Sequence, residues 1–189
     1  VKSRGLGDVY KRQLQERPTQ GICQNPENVL QTSMIFRALL DALDNWVSKA
    51  ITPPENQIPT NSKGTLVDFK YWKSQFPKIP NLVTPQAPNK LSIYDYGPKA
   101  DLGFFDTLPP RKIQNCSYTI KVPSVDDDGN ELAGIRVPML GTPLATYTGW
   151  NIRSRNFGEG AMHEFSGSTL IFPETDAVRR MTNDPRKSI

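Results

Sequence analysis

An acidic run, Asp126-Asp127-Asp128-Gly129-Asn130, is the first place in this chain where residue types and spacing could do chemistry. Carboxylates ahead of a glycine are what a calcium loop uses, with oxygen ligands at positions 1, 3 and 5, glycine at 6 and a bidentate glutamate at 12. With Gly129 at position 6, Asp126 and Asp128 fall at positions 3 and 5, but Ser124 and Ile135 fall at positions 1 and 12. The bidentate carboxylate is missing, so the EF-hand reading fails. An improvised cation site or a solvated turn remains, and Asp-Gly-Asn composition favours the turn.

The second candidate is Thr146-Tyr147-Thr148-Gly149-Trp150-Asn151. Two hydroxyls, a glycine, an indole and an amide could form a corner that contacts a ligand. A packed turn, with Trp150 in the core and Asn151 bonding backbone groups, is the plainer reading, because large aromatics usually pack. Nucleophilic catalysis needs a nucleophile, a base and an orienting acid. The sequence has no G-x-S-x-G elbow, and its one histidine, His163, stands in a glycine-rich stretch beside Glu164. A phosphate-cradling glycine loop, an H-E-x-x-H pair and a clustered Cys/His set are all missing. No catalytic residue, metal site or cofactor is assigned from these patterns.

The elements that would position these residues read as follows. Asn25 and Pro26 form a cap and first-turn signal, and apolar residues recur at Phe36, Leu39, Leu40, Leu43, Trp46 and Val47. That three-four spacing predicts an amphipathic helix from residue 26 to about 50, ended by Pro53-Pro54. Its stripe is broad enough to need a partner sheet. Residues 52–88 hold seven prolines and predict an extended crossing, with a strand over Gly64–Phe69. Leu91–Tyr96 alternates as a strand does. Tyr118, Ile120 and Val122 alternate on one side of the acidic turn, and Leu132, Ile135 and Val137 on the other, which predicts a hairpin. Ser168–Pro173 reads as a short strand and Glu174–Met181 as two helical turns. Asp184-Pro185 reads as the start of another helix.

Of 189 residues, 37% are apolar and 17 are proline, which favours a loop-rich mixed fold over a bundle. The net charge of +4 is carried by the ends. Residues 1–13 set Lys2, Arg4, Lys11 and Arg12 against Asp8, and residues 179–189 set Arg179, Arg180, Arg186 and Lys187 against Asp184. The body between them is slightly acidic, so a nucleic-acid groove is not indicated. No apolar run is long enough to span a membrane. Cys23 and Cys116 permit one bridge or two free, buried thiols. Residues 1–13 resemble translated sequencing-adapter sequence of the kind found at the ends of metagenome-derived reading frames, and they are set aside.

Read in series, N-P-x-N-V-L, F-R-A-L-L-D-A-L-D-N-W-V, P-P-E-N-Q-I-P, F-P-K-I-P, V-P-S-V-D-D-D-G-N-E-L-A-G-I-R-V-P, T-Y-T-G-W-N and N-D-P-R-K-S-I are together specific. Over residues 21–189 the chain resembles the C-terminal portion of the bacterial alpha/beta hydrolase domain family. The resemblance implies an α/β fold: the C-terminal fragment of a hydrolase-like core, a single partial domain over residues 14–189, with one long amphipathic helix in its core helix region (residues 14–51) and a β-rich, loop-rich extension (residues 52–189). It implies a serine hydrolase of esterase type, acting on a small-molecule ester, with nucleophile and base histidine upstream of these residues. The missing N-terminal part of the same domain would be the chief partner, and secretion or the periplasm the setting considered for the intact protein. Asp126, Asp128, Gly129, Asn130, Thr148, Gly149, Trp150 and Asn151 carry over as hallmark residues with an expected binding role. The alternative is a self-contained β-rich module that binds a ligand or carbohydrate without catalysis.

Overall fold

A computed structural model describes residues 20–88, 91–163 and 166–189. Residues 1–13 and Glu164 lie outside them. In chain order the elements are α1 (Ser33–Lys49), β1 (Leu66–Asp68), α2 (Phe69–Gln75), β2 (Ser92–Asp95), β3 (Arg111–Ser117) and β4 (Lys121–Pro123). They continue with α3 (Pro138–Gly141), β5 (Ala145–Thr148), β6 (Asn151–Ile152), β7 (Met162–His163), β8 (Ser168–Ile171) and α4 (Asp176–Thr182). The strands pair as four antiparallel two-stranded ladders: β1 with β4, β2 with β3, β5 with β8 and β6 with β7. The mixed content agrees with the α/β reading. The described strands form only these small sheets, and no parallel pairing occurs among them.

The long helix begins at Ser33, not at Pro26. The segment before it is held extended along β8 by competing backbone bonds: Thr169 N–H donates to Pro26 O at 2.9 Å and Asn28 N–H to Gly167 O at 3.1 Å. Asn25 spends its side chain on Asn151 instead of capping a helix. The C-terminal end closes at Ala50, in left-handed backbone, whose N–H reaches back to Trp46 O.

The predicted long hairpin is also corrected. β4 pairs with β1, Val67 opposite Val122, so the approach strand is taken by another partner. Across the acidic turn the pairing shrinks to the Val125–Glu131 bridge, made by Asp126 N–H to Asn130 O at 2.8 Å and Leu132 N–H to Ser124 O at 3.0 Å. Gly134 then turns the chain aside, and its N–H donates to Gln57 O at 2.7 Å. Strands at β1, β2 and β8 and the helix α4 fall where the sequence indicates. The helices α2, inside the proline-rich crossing, and α3, the strands β3, β5, β6 and β7, and the tail after α4 do not follow from it. Asp184-Pro185 starts no helix. Asp184 Oδ1 accepts from Arg186 N–H at 3.0 Å in a tight turn, and Ile189 N–H bonds Pro173 O at 2.9 Å. Cys23 is buried and Cys116 exposed, and both are free thiols.

The core gathers around β5, β6 and α2, where Trp72, Phe76, Val137, Met139, Ala145, Tyr147, Ile152 and Phe172 are buried. Burial of side chains this size stabilises by roughly 1.5–3 kcal/mol each. α1 takes no part in it: none of its residues is buried. Phe36, Leu40 and Val47 are 67%, 67% and 79% exposed.

Candidate functional site

Two sequence candidates, the acidic turn and the Gly-Trp-Asn corner, meet in one place. Asp126 shapes the turn itself. Its Oδ1 accepts from the backbone N–H of Asp128 at 3.1 Å and of Asn130 at 2.9 Å, while its own N–H donates to Asn130 O. Gly129 adopts φ +83°, and an added Cβ would lie 3.0 Å from Thr146 Cγ2 and 3.1 Å from the Pro77 ring. Both the backbone and the space therefore require glycine there. Asn130, wholly buried, copies a strand partner with its side chain: Tyr147 N–H donates to its Oδ1 at 2.8 Å, and its Nδ2 donates to Ala145 O at 3.2 Å. Thr146 Oγ1 donates to Asp128 O. The acidic turn is thus tied onto β5 as if it were an edge strand.

The C-terminal segment locks that joint. Arg186 is 3% exposed and pairs with buried Asp184 through Nε–Oδ1 at 3.0 Å and Nη2–Oδ2 at 2.7 Å. Its remaining donors go to Thr146 Oγ1 (3.0 Å), Leu170 O (2.8 Å) and Ile171 O (3.2 Å). Burial pushes the Asp184 carboxyl up, but the Arg186 hydrogen bonds and charge outweigh it and hold the group below its ordinary range. Asp128 is paired as well, with Lys187 Nζ at 3.0 Å from Oδ2 and Lys187 N–H at 3.1 Å from Oδ1. The Asp126 and Asp128 carboxylates are therefore occupied by backbone and lysine. Among the described residues no group of three or more His, Cys, Asp or Glu is arranged to hold a metal.

At the corner, Thr148 Oγ1 donates to Trp150 O at 2.6 Å and accepts from Ser168 N–H at 3.0 Å. Asn151 is wholly buried, and its Nδ2 donates to Asn25 O at 3.0 Å and Gly167 O at 3.1 Å. Both side chains act as internal fasteners. Gly149 is exposed and Trp150 half-buried.

Between turn and corner lies a cavity of about 220 Å³. Gly129, Thr148, Gly149 and Trp150 line it, whereas Asp126, Asp128, Asn130 and Asn151 hold the frame around it. Tyr147, from the second candidate run, lines it too, as do Trp72, Phe76 and Glu131, which no sequence candidate includes. Trp72, Phe76 and Trp150 form an aromatic wall, with ring centroids 4.9, 5.7 and 6.1 Å apart. Burial raises both the Glu131 carboxyl and the Tyr147 phenol above their ordinary values. Glu131 adjoins Asn130, and Tyr147 lies inside the T-Y-T-G-W-N run, so position beside a hallmark residue was the available signal.

His163 pairs opposite Asn151 and is half-buried, with Nδ1 left without a hydrogen-bond partner. No serine, threonine or cysteine bonds to it among the described residues, so no nucleophile–base pair is assembled there. Among the described residues no helix is long and apolar enough to cross a membrane.

A family model described as "Alpha/beta hydrolase domain" matches residues 4–181. No curated protein and no solved structure matches. The family match takes in most of the chain, and the chain belongs to the alpha/beta hydrolase domain family.

Proposed function

We propose that this member of the alpha/beta hydrolase domain family is the catalytically incomplete C-terminal part of an esterase-like serine hydrolase. Its reaction would be acyl transfer from a small-molecule ester to water. Nucleophile and base would come from the missing part of the domain, onto whose sheet α1 would dock. The β-rich body would supply a wall of the substrate pocket through Gly129, Thr148, Gly149 and Trp150.

The observation that carries this reading is the bare stripe on α1. Leu39, Leu43 and Trp46 are 46%, 49% and 51% exposed, in line with Phe36, Leu40 and Val47. An apolar face of that length marks a surface that something else covers, and it counts against the reading as a self-contained binding module. The chemistry rests on the family, since a hydrolase fold does not by itself fix a substrate.

The test pairs a fluorophosphonate probe with p-nitrophenyl ester turnover, on this chain and on the full-length parent. The expected result is labelling and turnover in the parent alone, at a serine outside these residues. Labelling of this chain overturns the claim of incompleteness. An unlabelled, inactive parent overturns the hydrolase assignment.

A further inference from the structure

We infer that the cavity between the acidic turn and the Gly-Trp-Asn corner binds a small organic ammonium group, seated on the Trp72–Phe76–Trp150 wall with its charge facing Glu131. Three observations converge on this. The first is an unpaired acid. No salt bridge or side-chain hydrogen bond engages the Glu131 carboxylate among the described residues; Arg136 donates to the Glu131 backbone carbonyl instead, at 3.4 Å. The Tyr147 hydroxyl is likewise without a partner on a residue only 5% exposed. The Asp126 and Asp128 carboxylates and the Asn130 and Asn151 amides are engaged by protein groups, so the carboxylate that lines the cavity without a protein partner is the one a guest can meet.

The second is the wall itself. Aromatic rings attract cations through their negative faces, and the effect grows when water is excluded. A carboxylate beside an aromatic wall repels anions and leaves a neutral guest with an uncompensated charge. A metal ion would need several oxygen ligands, and the cavity offers one carboxylate. A soft, weakly hydrated organic cation satisfies both the charge and the apolar surface. The volume is right for a small headgroup: an apolar cavity of about 150 Å³ accepts benzene, and this one is about 220 Å³.

The third is Gly149. It is exposed and is not among the glycines with left-handed backbone, so conformation does not demand it. A Cβ there would sit 3.5 Å from Glu131 Oε1. Its missing side chain leaves the approach to the carboxylate open.

Because Trp72 and Trp150 line the cavity, their fluorescence reports occupancy. The chain is titrated at constant ionic strength with choline and, separately, with its uncharged isostere 3,3-dimethylbutan-1-ol. We expect a saturable response to choline, at least ~10-fold weaker for the neutral isostere and at least ~10-fold weaker in Glu131→Gln, about the loss of one desolvated charge contact. Gly149→Leu should abolish the response while thermal unfolding stays cooperative. Equal affinity for the two probes, undiminished choline binding in Glu131→Gln, or no saturation in the native chain overturns the inference. Binding at equilibrium requires no catalysis, so this result and the fluorophosphonate result can fail separately.

Discussion

Around β5 and β8 nearly every polar group has a partner, whereas along α1 nearly every apolar group lacks one. In the first region Asn130, Thr146, Asn151 and Ser168 are each 0% exposed and hydrogen-bonded through their side chains, and a buried arginine spreads its donors over four acceptor residues. In the second, a helix of 17 residues buries none of them. The difference teaches where each part's stability originates. Hydrogen bonds contribute most when breaking one strands a buried partner, so the body is specified by its polar fasteners as much as by Trp72 and Tyr147. An isolated helix of this length is marginal in water, and α1 has only its own backbone and a few i,i+4 contacts, such as Lys49 with Asn45 at 2.7 Å.

The comparison breaks most easily at Arg186. Arg186→Met is expected to destabilise the chain by about 3–5 kcal/mol in urea unfolding, because it leaves the Asp184 carboxylate buried and unpaired. The effect should depend on pH. Asp184 has a folded pKa below its ordinary 3.8, so the stability it gives is present above that value and is lost as pH falls through the lower, folded one. Native and variant curves should therefore converge in acid. A loss under about 1 kcal/mol at neutral pH would mean that the pair is wetter than its geometry implies. Next in size is Asn130→Ala, which strands Tyr147 N–H and Ala145 O inside the protein and should cost about 1–3 kcal/mol. Asn130→Asp restores the acceptor but not the donor, and should recover part of that loss only if the Tyr147 bond is the stronger of the two.

Glu131 is where the saturated region departs from its own rule. Its carboxyl is raised above 4.5 by burial. A raised carboxyl favours the fold in its protonated form, and that contribution fades as pH rises through the folded value. At neutral pH the ionised group is therefore a cost, and Glu131→Gln should raise the melting temperature by ~1–2 °C, with no difference below pH 4.5. A lower melting temperature at pH 7 would show that a cation already pairs with this carboxylate in the folded chain.

How far the sequence foretold all this follows from the kind of signal each part carries. The α1 stripe, β2, β8 and α4 repeat a local period, and period is legible in one dimension. The start of α1 is not, because Asn25-Pro26 has the same cap chemistry whether it opens a helix or lies along β8; a contact with Asn151, distant in sequence, decides. The acidic hairpin departs from its expected pairing for the same reason, since β1 captures the strand that leads into the turn. Asp126, Asn130 and Asn151 stood out as motif residues, but that they would serve as fasteners depends on which backbone groups the fold leaves open. Glu131 has no signal of its own in the sequence beyond adjoining Asn130, and Tyr147 none beyond its place in the T-Y-T-G-W-N run; the cavity brings them together.

The smallest expected effect is the sharpest test of the contrast. Leu40 is 67% exposed, so Leu40→Ala has little to lose here; alanine is also the better helix former. Its stability change in this chain should stay within about 0.5 kcal/mol. In the longer hydrolase proposed above, with α1 docked on its sheet, the same truncation opens a cavity and should cost about 2–5 kcal/mol. A large cost in the chain alone would show that the stripe is already covered, by its own residues or by a second copy, and chain concentration would separate those two. A negligible cost in both would leave α1 a solvent-facing helix, and the docking half of the hydrolase reading would fall with it.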